Sequence, residues 1–145
     1  MSHKTDAVII GAGPVGLFAV FELGLLNLKC HLIDNLDKIG GQCSELYPEK
    51  PIYDIPAYPK ISGQELTDNL MLQIKPFEPV FHLNQQAESI LKVNDGWQVT
   101  STEGTIIIAK CVVIAAGAGS FVPRRPPLEN IKIYEGKSIF YSVRD

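Results

Sequence analysis

Six residues, Gly11-Ala12-Gly13-Pro14-Val15-Gly16, constrain the fold of this chain more than any others. They follow the apolar run Ala7-Val8-Ile9-Ile10 and open an apolar segment from Leu17 to Leu26. Strand, glycine turn and helix in that order present backbone N–H groups to a diphosphate. Gly11 permits the tight turn, Gly13 lets a phosphate approach the backbone, and Gly16 lets the helix pack close to the strand. Pro14 suits the first helical turn, where its missing N–H costs nothing. The helix N-terminus adds partial positive charge.

A second apolar run, Cys30-His31-Leu32-Ile33, ends at Asp34, roughly 20 residues past the glycines. A carboxylate at that strand end accepts hydrogen bonds from ribose hydroxyls and repels a 2′-phosphate. The unit therefore reads as strand 6–10, helix 14–26 and strand 29–33, a dinucleotide-binding βαβ. The helix is apolar nearly all round, with Leu17, Phe18, Val20, Phe21, Leu23 and Leu25, and is expected to be buried.

The 145 residues suffice for one domain. An apolar content of 46% with 20% charged residues indicates a soluble globular chain, and a net charge of −3 argues against nucleic acid as partner. Val15 to Leu28 is too short for a membrane span and contains Glu22 and Asn27. No signal peptide is visible. The three cysteines, Cys30, Cys43 and Cys111, are odd in number and widely spaced, which suits a reducing cytoplasm.

A long connection, 35–61, is rich in Gly, Pro and Tyr, and its aromatic residues argue for order. Ser62-Gly63-Gln64-Glu65 reads as a capping box opening a helix with Leu66, Leu70 and Ile74 on one face, which ends before Pro76. A short strand is predicted over 80–83. Runs 88–93, 97–102 and 105–108, separated by turns at Asn94-Asp95-Gly96 and Glu103-Gly104, form a β-meander. A further buried strand spans 111–115. The fold class is α/β, a Rossmann-like domain whose parallel strands take the order 3-2-1-4. A meander inserted before the last parallel strand points to an FAD-binding domain rather than a plain NAD domain.

At this point the chain resembles a family. Gly11–Gly16, Asp34, Gly40-Gly41-Gln42, Tyr47-Pro48-Glu49-Lys50, Ile52-Tyr53-Asp54-Ile55-Pro56 and Ala115-Ala116-Gly117 look like the bacterial thioredoxin-reductase-like ferredoxin/flavodoxin–NADP⁺ reductases. Pro123-Arg124-Arg125 and Tyr141-Ser142-Val143-Arg144-Asp145 extend the likeness over essentially the whole chain. The resemblance implies a two-dinucleotide flavoprotein using FAD and NADPH, with ferredoxin or flavodoxin as partner.

It also implies roles for individual positions. Gly40 and Gly41 let the backbone approach the diphosphate and ribityl chain, and Gln42 bonds the polar edge of the flavin. Tyr47 stacks on the isoalloxazine. Ala87 meets the adenine, Gly117 closes a strand beside the cofactor, and Phe121 joins the cofactor-binding set. Asp54 either contacts the flavin side or caps a turn. No side chain acts as acid or base, since the flavin carries the chemistry.

The resemblance further implies that residues 1–145 form the N-terminal part of the FAD domain, with the NADPH domain and a return segment lying outside this sequence. The exposed edge of 111–114 would then favour a homodimer or self-association. Two other functions stay open: a thioredoxin-reductase-type disulfide reductase, and a non-catalytic dinucleotide-binding module. In dithiol relatives a C-x-x-x-x-C pair follows the glycines. Here Cys43 could be its first member, but Pro48 stands at the second position. Arg124, Arg125, Lys132, Lys137 and Arg144 make the last segment basic, either as an attraction for an acidic ferredoxin or as a solvated linker.

Overall fold

The chain was analysed as a computed structural model that describes residues 2–120 and 125–140. Its elements are β1 (Ser2–Ile10), α1 (Pro14–Leu25), β2 (Cys30–Ile33), α2 (Gln42–Glu45), β3 (Pro51–Ile52), β4 (Ile61–Ser62) and α3 (Gly63–Ile74). After a 3-10 turn at Lys75–Phe77 come β5 (Val80–His82), β6 (Ala87–Val93), β7 (Gly96–Ser101) and β8 (Ile106–Ile114).

Six strands form one sheet in the order β5-β2-β1-β8-β7-β6. The first four are parallel, with β1 between β2 and β8. That is the 3-2-1-4 order expected from the sequence. The last three form the antiparallel meander.

The meander and the fourth parallel strand are not separate, as the sequence reading had them. Residues 105–108 and 111–115 belong to one continuous strand, β8. Its first half pairs with β7 from Trp97↔Ala109 to Thr100↔Ile106, while its whole length pairs with β1. This partner also lengthens β1, which begins at Ser2 rather than at residue 6. One strand thus serves both the nucleotide-binding and the meander halves of the sheet.

Two apolar clusters cover the sheet. Ala7, Ile9, Leu17, Val20, Leu32 and Ile74 are buried on the face covered by α1 and α3. Val8, Val99, Ile107 and Ala109 are buried on the opposite face. Full burial of a side chain such as Leu17 contributes roughly 1.5–3 kcal/mol.

Helix α1 is not buried all round. Gly16, Leu17, Val20 and Gly24 are buried, but Val15 is 70% and Leu25 59% exposed, and Phe18 is also exposed. Only the stripe bearing the small residues touches the sheet. Gly24 there makes room for the ring of Phe77.

The capping box at α3 forms as read. Ser62 Oγ accepts from the Glu65 N–H at 3.1 Å, and Glu65 Oε2 accepts from the Ser62 N–H at 2.9 Å. These bonds to Ser62 hold the Glu65 carboxyl below its ordinary pKa. The helix yields to the 3-10 turn at Lys75, just before Pro76. The long connection is ordered around α2, β3 and β4. Near the C-terminal end, Arg125 pairs with Glu135 through Nε···Oε1 at 2.6 Å. Arg124 and Arg144 lie outside the described residues.

Beyond Ala109, β8 has β1 on one side and, among the described residues, no strand on the other. Such an edge recruits another strand. The isolated chain is therefore expected to self-associate with rising concentration in sedimentation velocity. A single monomer boundary at all concentrations would show that this edge is covered.

Candidate functional site

The glycine turn sits where three backbone segments converge. The Gly11 N–H donates to the Ile33 carbonyl at 2.9 Å, and the Ala115 N–H donates to the Ile10 carbonyl at 2.8 Å. Gly11 has a φ of +106°, and a Cβ there would overlap the Ala115 carbonyl. A Cβ on Gly16 would overlap the Gly11 carbonyl. Both glycines are therefore required by the fold itself.

Gly13 is different. It precedes α1 with φ −77° and ψ −178°, an ordinary extended backbone. A Cβ there would meet nothing nearer than the Gly41 Cα at 3.8 Å, an ordinary contact. The protein leaves this position open. No side chain caps α1 among the described residues, so the first-turn N–H groups keep their capacity for an acceptor from outside.

Asp34 ties the site together. Its Oδ2 accepts from the Ala12 N–H at 2.7 Å, and its Oδ1 accepts from the Leu36 N–H at 2.9 Å. Its backbone N–H donates to the His82 carbonyl, and its carbonyl accepts from the Gln85 N–H, each at 3.0 Å. One residue thus fastens the glycine loop, the turn after β2 and the loop after β5. A carboxylate oxygen has about two acceptor positions, so capacity for ribose hydroxyls is retained.

These segments enclose a cavity of about 470 Å³. Of the residues read from the sequence, Gly11, Gly13, Pro14, Asp34, Gly41, Gln42, Ala87 and Gly117 line it. Gly16 does not; it is buried beneath the turn and acts through packing. Tyr47 is likewise not on this cavity. It lines an adjoining hollow of about 400 Å³, with Lys50, Ile52, Tyr53 and Asp54. Cys43 borders both. The Lys50 Nζ stands 5.0 Å from the centre of the Tyr47 ring. Phe121 lies outside the described residues.

Sequence reasoning missed Gln85 and Gln86 on the wall beside Ala87. Gln85 is fixed by Ser101, whose hydroxyl donates to Gln85 Oε1 at 2.8 Å. Burial pushes the Cys43 thiol pKa up, which keeps it protonated and weakly nucleophilic. Cys30 is pushed up to about 11 by burial.

Parallel strands, a glycine turn opening a helix, and an acidic residue ending the second strand define a nucleotide-binding domain of the doubly wound class. The model of the pyridine nucleotide-disulphide oxidoreductase family matches residues 5–143, and the chain belongs to that family. It is 64% identical over 142 residues to a ferredoxin–NADP reductase of a Bradyrhizobium strain, covering 97% of this chain. It is 59% identical over 145 residues to a ferredoxin–NADP reductase of Rickettsia felis. The chain spans about 42% of the first of these and 43% of the second. Among solved structures, the thioredoxin reductase of T. acidophilum shares the fold with a TM-score of 0.70 at 20% identity, over 93% of this chain and 41% of that one. No described helix is long and apolar enough to cross a membrane.

Asp34→Ala removes the acceptor of two backbone N–H groups. The unfolding free energy is expected to fall by about 1–3 kcal/mol in urea titrations. An unchanged midpoint would mean that the carboxylate does not tie the loops.

Proposed function

We propose that this chain supplies the FAD-binding part of a flavin-dependent NADPH oxidoreductase that passes electrons to ferredoxin or flavodoxin. The observation that carries the reading is the open floor at Gly13, where the fold tolerates a side chain but the sequence has none. A diphosphate lying there explains the glycine. It would receive the N–H groups of the first turn of α1 and the helix dipole.

Asp34 would hold the adenosine ribose, and Ala87, beside Gln85, would border the adenine. Gly41 and Gln42 would carry the ribityl side toward Cys43, which also borders the hollow of Tyr47. Tyr47 would cover one face of the flavin ring, with Asp54 near its edge. Bound FAD would supply the chemistry of hydride acceptance and single-electron release. The side chains here bind, orient and exclude water. The two ferredoxin–NADP reductases support NADP and ferredoxin as the partners of the full-length protein. On this reading residues 1–145 are FAD-domain residues throughout.

The disulfide-reductase reading gains less support. All three cysteines are free. Cys30 and Cys111 both register with Ala7, from opposite sides of β1. Two strand spacings, about 9–10 Å between Cα atoms, exceed what a disulfide spans. Free cysteines also suit a reducing compartment, and we assign the protein to the cytoplasm on that ground.

Gly13→Ala separates ligand from fold. Its thermal stability is expected to stay near that of the parent, while the Kd for FAD rises about tenfold, the cost of a ~1.4 kcal/mol clash with the diphosphate. Gly13→Val is expected to abolish retention. Unchanged FAD affinity in Gly13→Ala, measured by flavin fluorescence, would overturn the assignment.

A further inference from the structure

Three imidazoles meet on one face of the sheet, away from the glycine turn. His3 comes from β1, His31 from β2 and His82 from β5. Their ring centres are 5.3 Å apart for His3 and His31, 4.9 Å for His3 and His82, and 5.1 Å for His31 and His82. His31 Nδ1 and His82 Nε2 lie 2.9 Å apart. Nitrogens that close between centres 5.1 Å apart face each other edge to edge. This is one N–H···N hydrogen bond, in which one ring donates and the other accepts.

The bond tolerates only certain protonation states. With both rings neutral, one proton occupies the gap. One added proton can reside on the donor ring, and the bond persists. With two added protons both facing nitrogens carry hydrogen, and no acceptor remains. The contact is then a repulsion between two cations.

Among the described residues, no ion pair joins either ring to a carboxylate. The groups acting on His31 are His82 and His3, and on His82 it is His3. The nearby acids are turned elsewhere or lie on other surfaces. Asp6 of β1 accepts from the Lys29 N–H, and Asp34 is engaged with Ala12 and Leu36. Glu78 precedes β5, Lys4 flanks His3 along β1, and Glu22 belongs to α1, which covers the opposite face. Burial, then His82, then His3 push His31 down to about 4, and burial and His3 also lower His82.

The strand this pair fastens is short. β5 has three residues and pairs only with β2, with Ile33↔His82 and His31↔Val80 in register. The two histidines are therefore diagonal neighbours on one face, a spacing that ring side chains bridge. β5 runs directly into the cavity wall. The His82 carbonyl receives the Asp34 N–H, and the Gln85 N–H donates to the Asp34 carbonyl.

We propose that His31 and His82 form an acid-released latch that holds the edge strand β5, and with it the Asp34–Gln85 wall of the cavity, in place. Zero or one added proton keeps the latch closed; a second opens it. The effect on the ligand rests on the reading of the cavity as a dinucleotide site, whereas the effect on the strand does not.

The sign follows from linkage. A histidine whose folded pKa lies below its unfolded value near 6.5 binds fewer protons in the folded state. The stability of the neutral pair is thus fully present above pH 6.5 and is lost as pH falls toward about 4. The test uses the 145-residue chain and its His82→Gln variant, whose amide can bond His31 in either charge state. The folding equilibrium constant of the parent is expected to drop about tenfold between pH 6.5 and pH 5, allowing for solvent screening of half-exposed rings. The Kd for FAD is expected to rise only as pH falls toward about 4, where the second proton opens the latch. In the variant both changes are expected to shrink, since one titrating ring is gone, while the part that comes from the burial of His31 remains.

An equal acid response in the variant would overturn the proposal. If the variant does not fold, imidazole nitrogen NMR of the parent decides. Loss of β5 amide protection together with the second protonation supports the latch, and protection retained with both rings charged refutes it. Failure to bind FAD at pH 7.5 would sink the dinucleotide reading, while the stability and protection measurements would still judge the latch.

Discussion

The whole arrangement depends on a close approach of backbones at Gly11. There β1 ends, α1 begins and the end of β8 passes alongside, and a side chain on Gly11 or Gly16 would strike a carbonyl oxygen. With the side chains removed, α1 lies tight against β1 and its N-terminus opens onto the cavity. Asp34 then fixes the height of the loop by receiving the Ala12 N–H. The site is thus built mainly from backbone N–H groups held by packing, with one carboxylate as its fastener. Such a site is already organised before a ligand arrives, which reduces the ordering cost of binding.

The strand β8 is the second organising feature. Because it serves both halves of the sheet, the meander packs with β1 in one cluster, on the face opposite α1 and α3. Val8 of β1 packs with Val99 of β7 and Ile107 of β8. The meander is thereby joined to the strand that leads on to Ala115 and Gly117. The link through Ser101 and Gln85 runs the same way, from the meander to the cavity wall.

What could be read from the sequence was local. The glycine turn, Asp34 and the capping box at Ser62 each place their partners within one supersecondary unit, and each was legible. The parallel order followed from the spacing of short apolar runs. The continuity of β8 was hidden because Lys110 breaks the apolar run in the middle of the strand. The exposure of Val15 and Leu25 was hidden because an all-apolar helix does not say which of its faces is covered. Gln85 owes its place to Ser101, 16 residues away, and no pattern near Gln85 announces it. Tyr47 was legible as a residue near the site but not its position in a separate hollow, which depends on the path of the chain between α2 and β3. The three histidines meet only through strand register.

The central claim is that one ligand runs from Asp34, over Gly13, to the hollow at Tyr47. The most direct measurement is a titration of the ¹⁵N-labelled chain with FAD, followed amide by amide, with ADP as the half-ligand control. The account expects ADP to shift Ala12, Val15, Gly16 and the Gln85–Ala87 wall. FAD should shift these and, in addition, Gln42, Cys43 and Tyr47. Shifts by FAD that spare Val15 and Gly16, or that ADP fully reproduces, would contradict it.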